Sequence, residues 1–214
     1  MNELARTLVS RRNAFGQYLI ADFSPGVQLY LLIFNACCVL TINFGGASIL
    51  FQFAEKVFLV KPRTFSIINA IGNAIVALVV LVVVPYLTRV RKIRDSSLGL
   101  IGISCIFLQN ILRGSLRHWE AFLCTYVIGA LHGATPVAIR SRLSKLVTTD
   151  EVSTLFGLLS MLEAFCPIVG TALFTVVFER SIDDWPGLSF QIAAFLLIIP
   201  FLIFAWIDLF CDQR

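Results

Sequence analysis

Long runs of apolar residues alternate with short polar segments along most of the 214-residue chain. A helix needs about 20 apolar residues to cross a bilayer, and six of the runs are close to that length or longer. We predict membrane-spanning helices, named spans 1 to 6, at residues 27–51, 65–88, 97–112, 119–139, 155–178 and 188–210. Because the connections are short, neighbouring spans should run antiparallel. The pattern predicts an all-α membrane protein with six transmembrane helices.

The two ends of the chain lie outside these runs. Residues 1–26 carry several charges, lack an apolar run of the length found in signal peptides, and end in the turn-forming segment Ser24-Pro25-Gly26. We interpret residues 1–26 as a polar cytoplasmic lead-in and residues 211–214 as a short cytoplasmic tail. Residues 27–210 are then one six-helix transmembrane bundle.

Composition excludes an ordinary soluble domain. The chain is 58% hydrophobic and 14% charged, with a mean hydropathy of +0.87, whereas soluble chains have about 25% charged residues. The lipid bilayer is therefore the first predicted partner. The net charge of +4 does not indicate a nucleic-acid partner, because the basic residues lie in the connections between spans.

Lysine and arginine are distributed unequally between the two sides of the predicted bundle. Six of the 17 fall on one side, and eleven fall on the side that carries the lead-in and the tail. Cytoplasmic connections carry the excess of basic residues, so both termini are expected in the cytoplasm. The eleven are Arg6, Arg11, Arg12, Arg89, Arg91, Lys92, Arg94, Arg140, Arg142, Lys145 and Arg214.

Motifs of membrane enzymes and of metal sites are missing. Three Gly-x-Ser segments lack the final glycine of a rhomboid-type protease, and no histidine follows His132 to act as a base. There is no phosphate-binding loop, no His-Glu-x-x-His and no cluster of metal ligands. Five of the six cysteines lie in apolar runs and are interpreted as small buried hydrophobic residues. We predict no enzyme activity, no cofactor and no metal site.

Polar residues in spans 1 and 2 are the first candidates for a binding cavity. Asn35 and Thr41 belong to a series of small and polar residues at three- and four-residue steps, which places them on one helical face. Asn69 and Asn73 lie one turn apart in span 2. Such side chains in a membrane line a wet cavity, or they pack and hydrogen-bond between helices. Both interpretations remain open here.

Span 4 combines polar side chains with helix-breaking residues. Tyr126, Pro136 and Arg140 lie on about one face, and Pro136 frees a backbone carbonyl in the preceding turn. His132 points away from that face and is either a proton carrier or a hydrogen-bonded structural histidine. Arg140 is either a cytoplasmic surface charge or the cation that meets an anionic substrate or a carboxylate.

Glu163 lies eight residues inside span 5 among apolar neighbours. A carboxylate in the middle of a span costs about 2.5–3.5 kcal/mol on the insertion scale. Glu163 therefore needs a cation, a proton or a watery cavity, and the alternative is a neutral carboxyl group that only packs.

Two segments carry a resemblance to known transporters. Residues 85–95, PYLTRVRKIRD, resemble the second copy of the cytoplasmic signature loop of the major facilitator superfamily, with Arg89, Arg91, Arg94 and Asp95 as its charged positions. This resemblance matches the six spans to the C-terminal half of that fold. Residues 135–147, TPVAIRSRLSKLV, followed by Leu155-Phe156, resemble the proton-coupled folate transporter family, which includes the thymic stromal cotransporter.

The resemblance implies proton-coupled symport of an organic anion by alternating access, with this chain as a C-terminal half or fragment. In that family the arginine matching Arg140 is implicated in substrate binding and coupling. Together with the cost of a carboxylate inside a span, this leads us to expect that Arg140 and Glu163 belong to the machinery that binds substrate and couples its movement to protons. Span 1 lacks the functional histidine of the folate transporter, and Glu163 stands where that transporter has a neutral residue, so an anion other than folate is favoured.

The partners implied are a small organic solute, a proton and an N-terminal six-helix half, in the same chain or in a second subunit. The plasma membrane is expected rather than the lysosomal membrane. The alternative function is a six-span membrane protein that does not transport but interacts with a full-length transporter or regulates it.

Overall fold

The computed structural model describes residues 25–210. Of these residues, 88% are helical and none lies in a strand, and six helical segments are long and apolar enough to cross a membrane. The predicted fold class, an all-α protein with six transmembrane helices, is confirmed. Residues 1–24 of the lead-in proposed at 1–26, and the tail at 211–214, lie outside the described residues, with Arg6, Arg11, Arg12 and Arg214. Pro25 and Gly26, the last two residues of the proposed lead-in, belong to the first helix.

The helices have the following bounds. The first three spans are Pro25–Phe58, Pro62–Pro85 continued by a π-helical turn at Tyr86–Val90, and Asp95–Ser115. Span 4 is built from Trp119–Ile128, a 3-10 segment at Gly129–Gly133, and Ala134–Leu146. Span 5 is Val152–Ser181, and span 6 consists of Leu188–Leu196 and Ile198–Phe210.

Span 4 is irregular where its glycines meet neighbouring helices. Gly129 lies directly against the amide of Gln109 in span 3, and Gly133 lies against Val80 in span 2, with no room for a Cβ atom at either position. The 3-10 segment between these glycines tightens the helix just before Pro136. Span 4 can therefore approach spans 2 and 3 closely, and its polar residues face the space between them.

Spans 1 and 5 pack against each other along their length. Gly170 lies against the backbone carbonyl of Thr41, and Gly45 lies against the ring of Phe174. Small residues allow such close packing of helices in a membrane. The face of span 1 that carries Thr41 is thus a packing face.

Different interactions close the two ends of the bundle. At one end, aromatic rings of spans 1, 4 and 6 interlock, with the centroid of Phe53 5.0 Å from that of Phe190 and the ring of Trp119 stacked on Phe122 at 5.6 Å. At the other end, next to the basic loop at 89–94, carboxylates join spans 3, 4 and 6. Asp95 accepts hydrogen bonds from Ser141 at 2.8 Å and from Lys145 at 2.6 Å.

Candidate functional site

A cavity of about 390 Å³ lies between spans 1 to 4. Its walls are partly apolar, with Val39, Ile42, Leu50 and Phe65 among the lining residues. The polar and charged lining comes from all four spans and comprises Asn43, Asn69, Asn73, Gln109, Asn110, Arg113, Tyr126 and His132.

Four of the residues predicted from the sequence line this cavity. Asn69 and Asn73 face it from span 2, and Tyr126 and His132 face it from span 4. The hydroxyl of Tyr126 donates a long hydrogen bond of 3.4 Å to Oδ1 of Asn69. Asn69 therefore lines the cavity and also bonds to a neighbouring helix, so both interpretations made from the sequence apply to it.

His132 is held by its own helix. Its Nδ1 lies 2.8 Å from the backbone carbonyl of Gly129 and donates a hydrogen bond to it. A ring fixed in this way has one nitrogen occupied, and the residue borders the cavity at the level of Gly133 and Pro136.

Asn35 and Thr41 do not line the cavity. Asn35 is fully buried, and its amide donates a hydrogen bond of 3.2 Å to the carbonyl of Pro200 in span 6. Thr41 lies on the face that packs against Gly170 of span 5. The polar side chain that span 1 contributes to the cavity lining is that of Asn43. In this structure both residues make packing contacts and neither lines this cavity, and a role for them in substrate binding stays a prediction.

Arg113 is a cavity residue that the sequence analysis missed. The predicted span 3 ends at residue 112, whereas the helix continues to Ser115 and includes Arg113. Its Nε donates a hydrogen bond of 3.2 Å to Oγ1 of Thr125, and its guanidinium carbon lies 5.0 Å from the ring centroid of Tyr126. The signal was available, because Gln109, Asn110 and Arg113 follow the three- and four-residue spacing of one helical face.

Arg140 and Glu163 form an ion pair between spans 4 and 5. The guanidinium Nη2 lies 2.6 Å from the carboxylate Oε2. The side chain of Glu163 is 18% exposed and that of Arg140 is 52% exposed, so the carboxylate is the more enclosed partner. The cation that Glu163 was expected to need is thus Arg140.

The ion pair lies beyond one end of the cavity. A void of about 10 Å³ next to the pair shares Val39, Leu40 and Pro136 with the cavity lining. Arg140 precedes Ser141, whose hydroxyl binds Asp95 beside the basic loop. Arg113 lies 18 residues after Asp95 in the same helix, which corresponds to about 27 Å at 1.5 Å per residue. The two arginines therefore lie toward opposite ends of the bundle.

The residues of the signature loop have different environments. Asp95 binds Ser141 and Lys145 of span 4, and Arg94 donates a hydrogen bond of 3.2 Å to Asp208 of span 6. Arg89 lines a basic cleft of about 570 Å³ between the end of span 2 and span 4, whereas Arg91 is exposed. The loop thus joins spans at the end of the bundle that carries the Arg140–Glu163 pair.

Metal ligands do not cluster in the described part of the chain. Within residues 25–210, no group of three or more His, Cys, Asp or Glu side chains is arranged to hold a metal ion. The cysteines in this range, at positions 37, 38, 105, 124 and 166, are free thiols. The absence of a metal and of a cofactor stays a prediction.

Comparison with curated proteins finds transporters. The chain is 21% identical over 166 residues to a "probable peptidoglycan muropeptide transporter" of Drosophila melanogaster, covering 76% of this chain and 32% of that protein. It is 21% identical over 196 residues to the lysosomal proton-coupled steroid conjugate and bile acid symporter of Gallus gallus, covering 90% of this chain and 42% of that protein. A 62-residue segment is 32% identical to the human symporter of the same name, covering 29% of this chain and 13% of that protein.

These relatives confirm the resemblance to solute-carrier transporters of the SLC46 type. The relatives are named as transporters and not as enzymes, in agreement with the prediction of no enzyme activity. No family model matches the chain. The chain spans 32% and 42% of the length of the two relatives with the longest matches, and six spans are what one half of a transporter of the major facilitator superfamily has.

Proposed function

We propose that this chain is part of a proton-coupled secondary transporter for organic anions and that its six spans act as the C-terminal half. Alternating access in such a fold moves two six-helix halves against each other around a site near the middle of the membrane. The similarity to symporters and the six apolar helices support the proposal. The single observation that carries it is the Arg140–Glu163 ion pair at the end of the cavity.

The pair can couple an anion to a proton through its charge balance. While Arg140 binds Glu163, the two charges neutralise each other in an apolar bundle. When the anionic group of a substrate binds Arg140, Glu163 loses its cation. An unpaired carboxylate in a medium of low dielectric constant is costly. A proton bound by Glu163 removes that cost. The loaded state then contains a neutral acid and a neutral arginine–anion pair, so anion and proton move together.

Substrate class is proposed from the cavity and from the relatives' names. The Gallus gallus relative is named for steroid conjugates and bile acids, and the Drosophila relative for muropeptides. An amphipathic anion of this kind matches a cavity with apolar walls, amide side chains and an arginine. We propose an organic anion with a sizeable apolar part as substrate.

The missing half is proposed to cover the open side of the site. Spans 2 and 5 have many exposed apolar side chains, including Leu78 and Leu81 in span 2 and Met161 and Ile168 in span 5. Lipid covers some of this surface, and a second six-helix unit would cover the rest. That unit belongs to the same polypeptide or to a second subunit.

Orientation and location are part of the same proposal. The basic loop at 89–94 and both termini are placed in the cytoplasm because of the excess of basic residues on that side. The plasma membrane stays the prediction from the sequence, and the alternative is the lysosomal membrane named for the Gallus gallus relative. Fractionation of the tagged protein distinguishes the two.

Uptake by the complete transporter across a pH gradient tests the proposed function. We expect Arg140→Ala and Glu163→Gln each to reduce proton-driven anion uptake about tenfold or more, which corresponds to about 1.4 kcal/mol of lost coupling free energy. Arg117→Ala and Glu179→Gln change exposed residues of the same types and serve as matched controls. If both site variants reach the membrane and keep the rate and pH dependence of the wild type, the proposal is wrong.

A further inference from the structure

The cavity contains a cation that the proposed coupling step does not use. A guanidinium group has five N–H donors, and within residues 25–210 Arg113 uses one of them, Nε, for its hydrogen bond to Thr125. The N–H groups of its two terminal nitrogens have no hydrogen-bond acceptor among the described residues. The Oγ1 of Thr125 donates in turn to the carbonyl of Phe122 at 2.7 Å, so the group that anchors Arg113 is itself fixed.

No acidic side chain compensates Arg113 in the described part of the bundle. The ion pairs of Lys56, Arg94, Arg140 and Lys145 use Asp183, Asp208, Glu163 and Asp95, and Arg113 has none of these partners. The cavity lining contains no Asp and no Glu. Arginine stays protonated in proteins, and an uncompensated charge inside a membrane protein is costly. The cavity therefore carries a positive charge that a bound anion would compensate.

The neighbours of Arg113 can recognise the rest of an anionic head group. Gln109 donates to the carbonyl of Thr125 at 3.0 Å, which orients it beside Arg113. The amides of Asn69 and Asn73 face the same cavity from span 2, and neither amide nitrogen has a partner among the described residues. A planar guanidinium with nearby amide donors matches the oxygen atoms of a carboxylate or a sulfonate.

The remaining walls can hold an apolar body. Val39, Ile42, Leu50 and Phe65 also line the cavity. The volume of about 390 Å³ lies in the range of small-molecule sites, which is roughly 300–1,000 Å³. A molecule with one charged end and one apolar ring system would use both parts of the lining.

We propose that Arg113 is the anion-binding residue of this cavity and holds the carboxylate or sulfonate of an amphipathic organic anion. The inference rests on the proposed function and deepens it, because it assigns a substrate-docking position separate from the Arg140–Glu163 pair. In span 4, Thr125, which binds Arg113, lies 15 residues before Arg140, which corresponds to about 22 Å at 1.5 Å per residue. Arg113 holds the anion at the end of the bundle away from the basic loop, and Arg140 acts on it only after it has moved inward.

Equilibrium binding to the full chain in lipid nanodiscs tests this site. The probes are 1-naphthaleneacetate and 1-naphthaleneacetamide, which have the same shape and differ in charge. The wild type should bind the carboxylate at least about tenfold more tightly than the amide, because only the carboxylate compensates Arg113. Arg113→Gln should abolish that preference. Arg113→Lys should keep part of it, since lysine has the same charge but cannot donate two parallel hydrogen bonds to a carboxylate. Arg117→Gln, four residues further on and exposed, should bind as the wild type does.

Three outcomes overturn the inference. The first is a wild type that does not prefer the carboxylate, and the second is an Arg113→Gln variant that keeps the preference. The third is an Arg113→Gln variant that loses both probes equally while its circular dichroism and elution volume stay native.

The test is separable from that of the proposed function. Binding that depends on Arg113, together with unchanged uptake in the Arg140 and Glu163 variants, leaves the site correct and the coupling proposal wrong. The converse result leaves the coupling correct and the site wrong.

Discussion

Single arginines with the same charge have different roles in this bundle because their partners differ. Arg140 binds the carboxylate of Glu163 at 2.6 Å, whereas Arg113 contacts a hydroxyl group and aromatic rings. The first arrangement can exchange its partner for a substrate anion, and the second offers donors that have no partner. The local contacts of each residue, and not its charge, distinguish a coupling position from a docking position.

Removing Arg140 and removing Glu163 should lower the free energy of unfolding by different amounts. Arg140→Ala leaves the enclosed carboxylate of Glu163 without its cation, which should cost about 1–3 kcal/mol. Glu163→Gln leaves a half-exposed arginine that water can reach, so its cost should be smaller. The free energy of unfolding of the two single variants and the double variant, measured in detergent, forms a double-mutant cycle.

The control for this cycle is the exposed pair of Lys56 and Asp183. Asp183→Asn should change the free energy of unfolding by no more than about 0.5 kcal/mol. Equal destabilisation by Arg140→Ala and by Asp183→Asn would contradict an enclosed, dependent carboxylate at position 163.

Among the elements, the number of spans could be predicted from the sequence, but the orientation of each helix could not. A hydrocarbon core about 30 Å thick imposes a minimum apolar length, and that length is visible in the sequence. Which face of span 1 meets the cavity depends on where spans 2 to 5 lie around it. The small and polar face with Thr41 was suited both to lining a cavity and to packing against another helix. The close approach of Gly170 shows that this face packs against span 5.

The end of span 3, close to Arg113, was also predicted incorrectly. Arg113 follows a hydrophobic run, and an arginine at such a position is as well suited to a connection as to a helix. The helix continues because Leu116, after Ser115, still donates its N–H to the carbonyl of Leu112. The need of Glu163 for compensation could be anticipated, in contrast, because a carboxylate deep in an apolar run is costly. Its contact with Arg140 became visible only in the structure.

The contact between spans 1 and 5 can be tested with two glycines of the same helix. Gly170→Val places a branched side chain against the carbonyl of Thr41 and should destabilise the bundle by about 1–3 kcal/mol. A Cβ atom at Gly157 would meet nothing within 4 Å, so Gly157→Ala should be neutral or stabilise by up to about 1 kcal/mol. Thermal unfolding followed by circular dichroism measures both. A Gly170→Val variant as stable as Gly157→Ala would contradict the close packing described here.

At the scale of the whole molecule, the proposed orientation assigns each end of the bundle to one side of the membrane. The aromatic cluster and the exposed Asp184 are placed outside or in the lumen, and the basic loop is placed in the cytoplasm. An impermeant maleimide should label Asp184→Cys in intact cells that carry the protein at the plasma membrane. Arg91→Cys, which is also exposed, should be labelled only after permeabilisation, and the wild type controls for native thiols. The reverse pattern would contradict the orientation.

One measurement separates anion movement from its coupling to protons. Proteoliposomes that contain the complete transporter, wild type or Glu163→Gln, are assayed for anion exchange at equal pH and for accumulation driven by an inward proton gradient. Because glutamine imitates the protonated acid, we expect Glu163→Gln to keep anion exchange within about twofold of the wild type and to lose accumulation. Accumulation at the wild-type level by Glu163→Gln would show that Glu163 does not couple the anion to the proton.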